Sequence, residues 1–328
     1  MVYMIKIGII GYGNLGRGVE LAIKQQSDLE LVAIFSRRGK EGVKPVDETV
    51  IVEHVDAIPS YQGKIDVMVL CGGSATDLPI QTPEYTKYFN TVDSFDNHSQ
   101  IPTHFEQVDE VALENEKVAV ISTGWDPGLF SLTRVLMESI LPEGETNTFW
   151  GKGVSQGHSD AVRRVEGVKR AVQYTIPSDD AMNKVRIGEG SNLTTRDKHL
   201  RECFVVPEHG VDTNEIEKQI VTMPAYFSEY ETVVHFIDEE TFDRDHSAMP
   251  HGGFVIRSGE TTEGTRQLIE FSLALESNPE FTASVLTACA RAAYHLHEKG
   301  DFGAKSILDI PVRYLSNRPY SELLQKFV

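Results

Sequence analysis

The sequence predicts an α/β protein with a Rossmann-type doubly wound parallel sheet, followed by a second α+β domain. Three observations support this fold class. Apolar, β-branched segments alternate with helical patterns over the N-terminal part of the chain, and a G-x-G-x-x-G run follows the first of these segments. Beyond Trp150 the alternation gives way to strand-like segments separated by few helical patterns. The second part is therefore expected to hold a mixed, largely antiparallel sheet.

The first strand is predicted from Ile5 to Ile10, an apolar run typical of a strand buried on both faces. Gly11-Tyr12-Gly13-Asn14-Leu15-Gly16 follows it and leads into the helical pattern RGVELAIKQQ. In this context the first glycine can form the tight turn, the second lets the backbone approach a pyrophosphate, and the third allows close helix–strand packing. The pyrophosphate would lie on the free N–H groups at the start of the helix.

The residues after the second predicted strand decide between NAD and NADP. The strand LELVAIFS ends in Ser36, and Arg37 and Arg38 follow where an NAD site usually has Asp or Glu. Two guanidinium groups can pair with a 2′-phosphate, and each charge-assisted hydrogen bond contributes about 1.5–3 kcal/mol. The sequence therefore predicts NADP. The alternative is that both arginines only begin the solvated loop RRGKEGVKP.

A small-residue turn follows the third predicted strand, which spans residues 65–71. This strand ends at Cys71, and Gly72-Gly73-Ser74-Ala75-Thr76 comes directly after it. Open α/β sheets bind ligands at the carboxyl ends of their strands. We therefore expect this turn to border the nicotinamide.

Two carboxylates follow the next predicted strands, which span residues 90–93 and 118–123. Asp96 comes after the first of these strands and Asp126 after the second. Converging carboxylates at a nicotinamide pocket favour a cationic substrate group such as an ammonium. Asp96 could instead form an Asx turn, and Asp126 could cap the helix that begins at Pro127.

Composition and charge exclude several function classes. The chain has 328 residues, of which 40% are hydrophobic and 24% charged, and its formal net charge is −18. Such an acidic surface repels phosphate backbones and anionic membranes, so we expect neither a nucleic-acid nor a membrane partner. No apolar run approaches the roughly 18–20 residues that span a bilayer. The apolar N-terminus is interpreted as a buried strand and not as a signal peptide.

The cysteines and histidines give no metal or nucleophile signature. Cys71, Cys203 and Cys289 lie far apart and form no C-x-x-C pair, which favours free thiols in a reducing, cytoplasmic compartment and no structural metal. Gly157-His158-Ser159-Asp160 contains triad residue types, but neighbours in sequence do not form a triad. The loop histidines His246 and His251 stay open as metal ligands or anion donors.

The domain limits follow from the change in pattern. We predict a dinucleotide-binding domain over residues 1–123 and a substrate-binding and dimerisation domain over residues 124–279. The Ala-rich segment from Phe281 to Lys299 is predicted to form one long helix. This helix and the tail, about 280–328, are expected to pack back on the N-terminal domain.

Blocks along nearly the whole chain closely resemble the NADP-dependent meso-diaminopimelate D-dehydrogenase family of the bacterial lysine pathway. They are GYGNLGRGVE, AIFSRR, CGGSATD, TVDSFDNH, STGWDPGLFS, TFWGKGVSQGHSDA, QYTIPS, RECFVV, MPHGG and NPEFTAS. The long blocks are far more specific than the dinucleotide fingerprint. The resemblance implies reversible oxidative deamination at the D-centre of meso-2,6-diaminopimelate, which yields L-2-amino-6-oxopimelate and ammonia. It also implies a homodimer.

The resemblance also implies which side chains bind each part of the substrate. Those at the D-centre are Asp96 and Asp126 for the ammonium, Trp150 for the wall of the pocket, and Gln156 and Gly157 for the carboxylate. Those at the distal L-centre are Thr175, Arg201, His251 and Asn278. We expect the two aspartates to act in catalysis by orienting the amine, with Asp126 or a water that it holds taking the proton.

Two other function classes stay open at this point. One is another NADP-dependent reductase of the lysine and aspartate pathways, such as a semialdehyde dehydrogenase or a dihydrodipicolinate reductase. A semialdehyde dehydrogenase needs a catalytic cysteine, and neither Cys71 nor Cys203 is well placed as an acyl acceptor. The other class is a non-catalytic NADPH-binding sensor, which would need neither paired acids nor an arginine that binds an anion.

Overall fold

The structure is a computed structural model that describes residues 4–328. The chain divides into two compact units, the first comprising Met1–Leu132 and Pro279–Val328 and the second Thr133–Asn278. The domain limits expected from the sequence lie at 123/124 and 279/280, and they remain predictions.

The elements are numbered in chain order. The strands are β1 (Ile5–Ile10), β2 (Leu29–Ser36), β3 (Ile51–His54), β4 (Val67–Leu70), β5 (Asn90–Asp93), β6 (Val118–Val120), β7 (Gly144–Trp150), β8 (Gly153–Val154), β9 (Val168–Pro177), β10 (His199–Pro207), β11 (Glu231–Phe236), β12 (His251–Thr262), β13 (Thr265–Leu275) and β14 (Gly303–Lys305). The α-helices are α1 (Asn14–Lys24), α2 (Leu78–Thr86), α3 (Ile101–Glu114), α4 (Leu129–Ile140), α5 (Gln156–Arg163), α6 (Asp179–Arg186), α7 (Thr195–Lys198), α8 (Thr213–Val221), α9 (Glu239–Asp245), α10 (Asn278–His297) and α11 (Tyr320–Phe327).

The first unit is built on a parallel sheet with the strand order β14-β6-β5-β4-β1-β2-β3. Alternate strand residues face opposite sides. Ile7 and Ile9 belong to a core that includes Ala283 and Leu286 of α10, whereas Ile10 belongs to the core that includes Leu78 of α2. Helices thus cover both faces, which confirms the predicted doubly wound sheet. The strand order reverses beside β1, the place where such sheets bind ligands.

The strands of this sheet differ in extent from the sequence prediction. The strand predicted over 118–123 ends at Val120, because Ser122 has a φ of 52° and leaves the extended conformation. The long helix predicted from Phe281 to Lys299 spans Asn278–His297. The edge strands β3 and β14 were not predicted, since runs of three or four residues give no periodic pattern.

The second unit holds a mixed sheet and an antiparallel sheet. In the order β11-β10-β9-β8, β10 pairs in parallel with β11 and antiparallel with β9, and β9 pairs antiparallel with β8. In the order β13-β12-β7 both pairs are antiparallel. This arrangement confirms the predicted mixed, largely antiparallel second part of the fold.

The expectation of few helices in this part was wrong. Helices α5 to α9 interrupt the strands, and side-chain caps at Ser178, Thr194, Asp212 and Asp238 start four of them. These N-cap residues were the readable signal, but helices of four to nine residues are too short to show a helical period. Over residues 4–328, none of the helices combines the length and apolar character that a membrane crossing requires.

Candidate functional site

The glycine-rich turn is as tight as its pattern predicts. Gly11 has a φ of 89°, and a Cβ there would lie 2.9 Å from the carbonyl oxygen of Cys71. A Cβ at Gly16 would overlap the carbonyl oxygen of Gly11. By contrast, a Cβ at Gly13 would meet nothing within 4 Å, and Gly13 is the N-cap of α1 without a side-chain cap. The turn therefore leaves open space in front of a helix N-terminus, which suits a pyrophosphate.

A cavity of about 250 Å³ opens at this turn. Seven predicted cofactor residues line it: Gly11, Gly13, Ser36, Arg37, Arg38, Cys71 and Gly72. The other lining residues are Ile10, Tyr12, Val55, Gly73, Asp77 and Gln81. Tyr12 and Gly73 lie inside the predicted motifs, whereas Val55, Asp77 and Gln81 had no sequence signal. The remaining predicted residues lie beside the cavity, in the first turn of α1 (Asn14, Leu15, Gly16) and in the segment between β4 and α2 (Ser74, Ala75, Thr76).

The two arginines at this cavity are held differently. Arg38 Nη2 donates to the carbonyl oxygen of Tyr12 at 2.5 Å, and its backbone N donates to Ser36 Oγ at 3.2 Å. The Arg37 side chain is 73% exposed, and its Nη2 lies 3.2 Å from Asp77 Oδ2. Exposed pairs contribute about 1 kcal/mol at most, so Arg37 can exchange this partner for a phosphate at little cost. This donor set fits a 2′-phosphate.

A buried carboxylate organises the neighbouring edge of the sheet. Asp93, the last residue of β5, is fully buried. Its Oδ1 accepts hydrogen bonds from the backbone N of Phe95 at 3.0 Å and of Ser122 at 2.8 Å. Its Oδ2 accepts from Thr82 Oγ1 at 2.7 Å and from His104 Nε2 at 2.9 Å. Asp93 thus fixes the segments that follow β5 and β6, a role that sequence reasoning missed.

The predicted catalytic aspartates lie on these two segments. Asp96 is exposed, accepts a hydrogen bond from the Ser74 hydroxyl, and donates from its backbone N to Ser74 Oγ at 2.9 Å. The Asx-type bond considered for Asp96 is made by Asp93 instead. Asp126 is half-buried, and because α4 begins at Leu129, Asp126 is not its N-cap. Since β5 and β6 are neighbours, both aspartates follow the carboxyl ends of adjacent strands.

In the second unit, Thr175 and Arg201 form a cross-strand pair between β9 and β10. The Arg201 side chain donates to Thr175 Oγ1, and its guanidinium carbon lies 4.0 Å from the centre of the Tyr230 ring. Arg201 is only 7% exposed, and this burial lowers the pKa of its guanidinium. Among residues 4–328, Nε of Arg201 has no hydrogen-bond partner. A buried cation with an open donor fits a carboxylate ligand.

His251 lies beside this pair. Gly153 of β8 pairs with Thr175, and a Cβ at Gly153 would lie 2.5 Å from the Cα of His251. The backbone N of Asn278 donates to the carbonyl oxygen of Met249 at 3.0 Å, which places Asn278 near the start of β12. The fold of the second unit therefore gathers the predicted distal set.

Trp150 ends β7 and packs on a histidine that sequence reasoning missed. The Trp150 backbone N donates to His199 Nε2 at 2.9 Å, and the two rings stack with 5.5 Å between their centres. Burial and the positive charge of Arg201 lower the pKa of His199 to about 4, so this imidazole is neutral at physiological pH. A neutral Nε2 can accept the Trp150 bond, which fixes the backbone that carries the indole.

Gln156 and Gly157 are the first two residues of α5, and both are exposed. The residue before them, Ser155, donates from its backbone N to the carbonyl oxygen of Gln173 at 3.0 Å. Gln173 lies on β9, two positions before Thr175. The start of α5 is thus attached to the strand that carries part of the distal set.

Comparisons with known proteins give the family. A family model described as "Diaminopimelic acid dehydrogenase C-terminal domain" matches residues 124–277. The meso-diaminopimelate D-dehydrogenase of Ureibacillus thermosphaericus is 60% identical over 324 residues, which are 99% of each chain. The chain belongs to the meso-diaminopimelate D-dehydrogenase family. The resemblance seen in the sequence blocks is therefore confirmed.

Solved structures of amino-acid dehydrogenases share this fold. The Corynebacterium glutamicum enzyme in complex with DAP is 46% identical, with a TM-score of 0.91 and 100% of both chains covered. An engineered D-amino acid dehydrogenase bound to NADP+ is 44% identical, with a TM-score of 0.85, and covers 99% of this chain and 100% of its own.

The thiols of this meso-diaminopimelate D-dehydrogenase family member are not placed for acyl transfer. Cys203 and Cys289 are fully buried, and burial raises the pKa of Cys203 to about 12 and that of Cys289 to about 11. Burial also raises the pKa of Cys71. Since the thiolate is the nucleophile, none of these groups suits a semialdehyde dehydrogenase. The described residues include no group of three or more His, Cys, Asp and Glu side chains arranged to hold a metal ion.

Proposed function

We propose that the chain catalyses the reversible, NADP-dependent oxidative deamination of the D-centre of meso-2,6-diaminopimelate to L-2-amino-6-oxopimelate and ammonia. One observation carries the proposal: the chain holds binding groups of both charge signs, anionic ones in the unit with the dinucleotide cavity and a cationic one in the second unit. Carboxylates follow the strands of the cofactor sheet, and the second unit holds the buried guanidinium of Arg201 with an open donor. A substrate with two ammonium and two carboxylate groups needs both signs.

The residues proposed to hold NADP are those of the glycine turn and the strand ends. Gly11, Gly13 and the first turn of α1 would take the pyrophosphate, and Ser36-Arg37-Arg38 the 2′-phosphate. The turn after Cys71 would border the nicotinamide. When bound, NADP accepts the hydride at C4 of its nicotinamide ring.

At the D-centre, Asp96 and Asp126 are proposed to face the ammonium. Hydride leaves the α-carbon readily only when the amine is neutral, but carboxylates beside an ammonium raise the pKa of that ammonium and oppose its deprotonation. We therefore assign them the orientation of the amine, with Asp126 or a water that it holds taking the proton. Trp150 would form the wall of this pocket, and Gln156 and Gly157 would hold the carboxylate.

At the L-centre, Arg201 is proposed to bind the distal carboxylate with its planar fork, supported by Thr175, His251 and Asn278. Holding the distal end determines which α-hydrogen faces the hydride acceptor. Stereospecificity for the D-centre follows from this orientation.

The proposed function is tested by following absorbance of the reduced cofactor at mildly alkaline pH. Purified protein is mixed with NADP and meso-diaminopimelate, and the L,L isomer and NAD serve as paired controls. Turnover only with the meso compound and NADP is expected. NADPH binding without turnover on any amino acid would instead support the sensor.

We also propose a homodimer in the cytoplasm. Val135, Leu136 and Ile140 of α4 are apolar and more than one-third exposed, as expected of side chains that a second copy covers. Free thiols suit a reducing compartment. Sedimentation equilibrium tests the dimer, and a monomer at micromolar concentration would contradict it.

A further inference from the structure

A second buried carboxylate lies in the middle of α1, where the reaction makes no use of it. Glu20 is fully buried, with a relative exposure of 0%. Its Oε2 accepts from the backbone N of Val46 at 2.9 Å, and its Oε1 accepts from the backbone N of Asp47 at 2.7 Å. The Tyr12 hydroxyl also donates to Oε2. Burying a carboxylate is costly unless such donors satisfy it.

These donors belong to the two segments that contribute Tyr12 and Arg38 to the lining of the cavity. Tyr12 is the second residue of the glycine turn and lines the cavity. Val46 and Asp47 lie in the loop that runs from Arg38 to β3. Burial and the hydrogen bond to Glu20 raise the pKa of Tyr12 to about 12, so its hydroxyl stays a donor. Glu20 therefore joins this loop to the glycine turn from inside the protein.

Arg38 is held by both segments that Glu20 joins. Its guanidinium donates to the carbonyl oxygen of Tyr12 at 2.5 Å. On the loop side, a Cβ at Gly42 would lie 2.5 Å from Arg38 Cβ, so the loop backbone packs directly on the Arg38 side chain. Arg37 is outside this network, because its partner is Asp77.

We propose that Glu20 is a positioning residue for 2′-phosphate recognition. It holds Tyr12 and the loop of residues 38–47 together, and so presents the Arg38 guanidinium at the cavity without touching the ligand. The inference rests on the proposed use of NADP. Its consequence is selective: loss of the Glu20 bonds weakens ligands that carry a 2′-phosphate and spares those that lack one.

The test is calorimetric titration with 2′,5′-ADP and 5′-AMP, which differ only in the 2′-phosphate. Glu20→Gln keeps the size of the side chain but loses acceptor capacity at one of its two terminal atoms. This variant is expected to misplace the Arg38 guanidinium, one of the two charged donors to the 2′-phosphate. We therefore expect 2′,5′-ADP to bind about tenfold to a hundredfold more weakly, and the affinity for 5′-AMP to change by less than about twofold. Glu41→Gln removes the same charge from an exposed position in the same loop and should change neither affinity.

Other outcomes separate the possible failures. Equal weakening of both ligands, or no weakening of either, overturns the positioning role of Glu20. A wild-type protein that binds both ligands equally overturns the proposed cofactor instead. If Glu20→Gln does not fold, Tyr12→Phe removes only the hydroxyl donor. It should weaken 2′,5′-ADP by about threefold to tenfold with 5′-AMP unchanged, and wild-type selectivity in that variant overturns the proposal.

Discussion

Replacement of Asp93 by alanine should destabilise the first unit and misplace Asp96 and Asp126 together. The carboxylate accepts four hydrogen bonds in a fully buried position, and two of their donors are backbone N–H groups that cannot turn away. Each buried donor left without a partner costs about 1–3 kcal/mol. Because the Thr82 hydroxyl can rotate to another acceptor, three donors lose their partner, and we expect a total loss of about 3 kcal/mol or more.

Asp93→Asn should be milder, because its amide oxygen can still accept the two backbone donors. The amide nitrogen would then face Thr82 and His104, and both can become acceptors. For His104 this requires the proton to move to Nδ1, a buried atom without a hydrogen-bond partner in the described part of the chain. We expect this variant to lose about 1–2 kcal/mol.

The positions of the tryptophans allow the unfolding of the first unit to be measured separately from that of the second. The chain has two, Trp125 in the first unit and Trp150 in the second. In a Trp150→Phe background, Trp125 is the sole indole, and its burial at 7% exposure makes its fluorescence sensitive to unfolding. Guanidinium titrations of the Asp93 variants in this background give the change in unfolding free energy.

Thr82→Val is the matched control, since it removes one donor to Asp93 and should cost about 1 kcal/mol. In the protein that retains Trp150, Asp93→Ala should also lower kcat/KM for meso-diaminopimelate by at least about tenfold, because the segments that carry Asp96 and Asp126 both lose their anchor. A loss below about 1 kcal/mol, or full activity, in Asp93→Ala would refute the reasoning.

Three further predictions concern the glycine turn, one histidine and the proton path. Gly13→Ala should leave stability within about 1 kcal/mol of wild type but weaken NADP binding at least about tenfold. Gly16→Ala should cost about 1–3 kcal/mol of stability, because its Cβ would overlap the carbonyl oxygen of Gly11. Calorimetry measures the binding and denaturation the stability, and normal NADP binding by Gly13→Ala would contradict the pyrophosphate assignment. Because the folded pKa of His199 is lowered to about 4 from an ordinary 6.5, the unfolded chain binds more protons in this range, and stability should fall by about 3 kcal/mol as the pH drops from 6.5 to 4. His199→Gln should flatten that loss in pH-dependent denaturation, and an unchanged slope would reject the assignment. Asp126→Asn should lower kcat by about a hundredfold and alter the acidic limb of the pH–rate profile; an unchanged limb and rate would remove Asp126 from the proton path.

Local sequence patterns predicted most elements of the first unit. The strand from Ile5 to Ile10, the glycine turn and the pair Arg37-Arg38 are continuous in sequence, so their geometry could be predicted before any contact was known. Strands β3 and β14 could not, because each is an edge strand of three or four residues that is defined only by its pairing with a neighbouring strand. The roles of the predicted substrate residues stay predictions. The structure places Thr175 and Arg201 in contact, whereas it places Asp96 and Asp126 only on neighbouring loops.

Burial is the property that the sequence could not assign. The chain has 49 acidic residues and a net charge of −18, so an acidic side chain is by default expected at the surface. Within residues 4–328, Glu20 and Asp93 are the two acidic side chains that are fully buried. Nothing near them in sequence distinguishes them, since their donors lie between 2 and 29 positions away.

Both buried carboxylates use the same chemistry at different places in the first unit. A carboxylate has two oxygens that only accept, so it can tie backbone N–H groups of separate segments together more firmly than a neutral side chain can. Glu20 does this for the loop that carries Arg38, and Asp93 does it for the segments that carry Asp96 and Asp126. Because the two networks share no residue, their variants should affect different steps. Glu20 variants should change the choice of cofactor, and Asp93 variants should change the handling of the amine. A sheet that binds ligands at its carboxyl edge needs its loops fixed there, and buried charge fixes them only where every acceptor finds a donor.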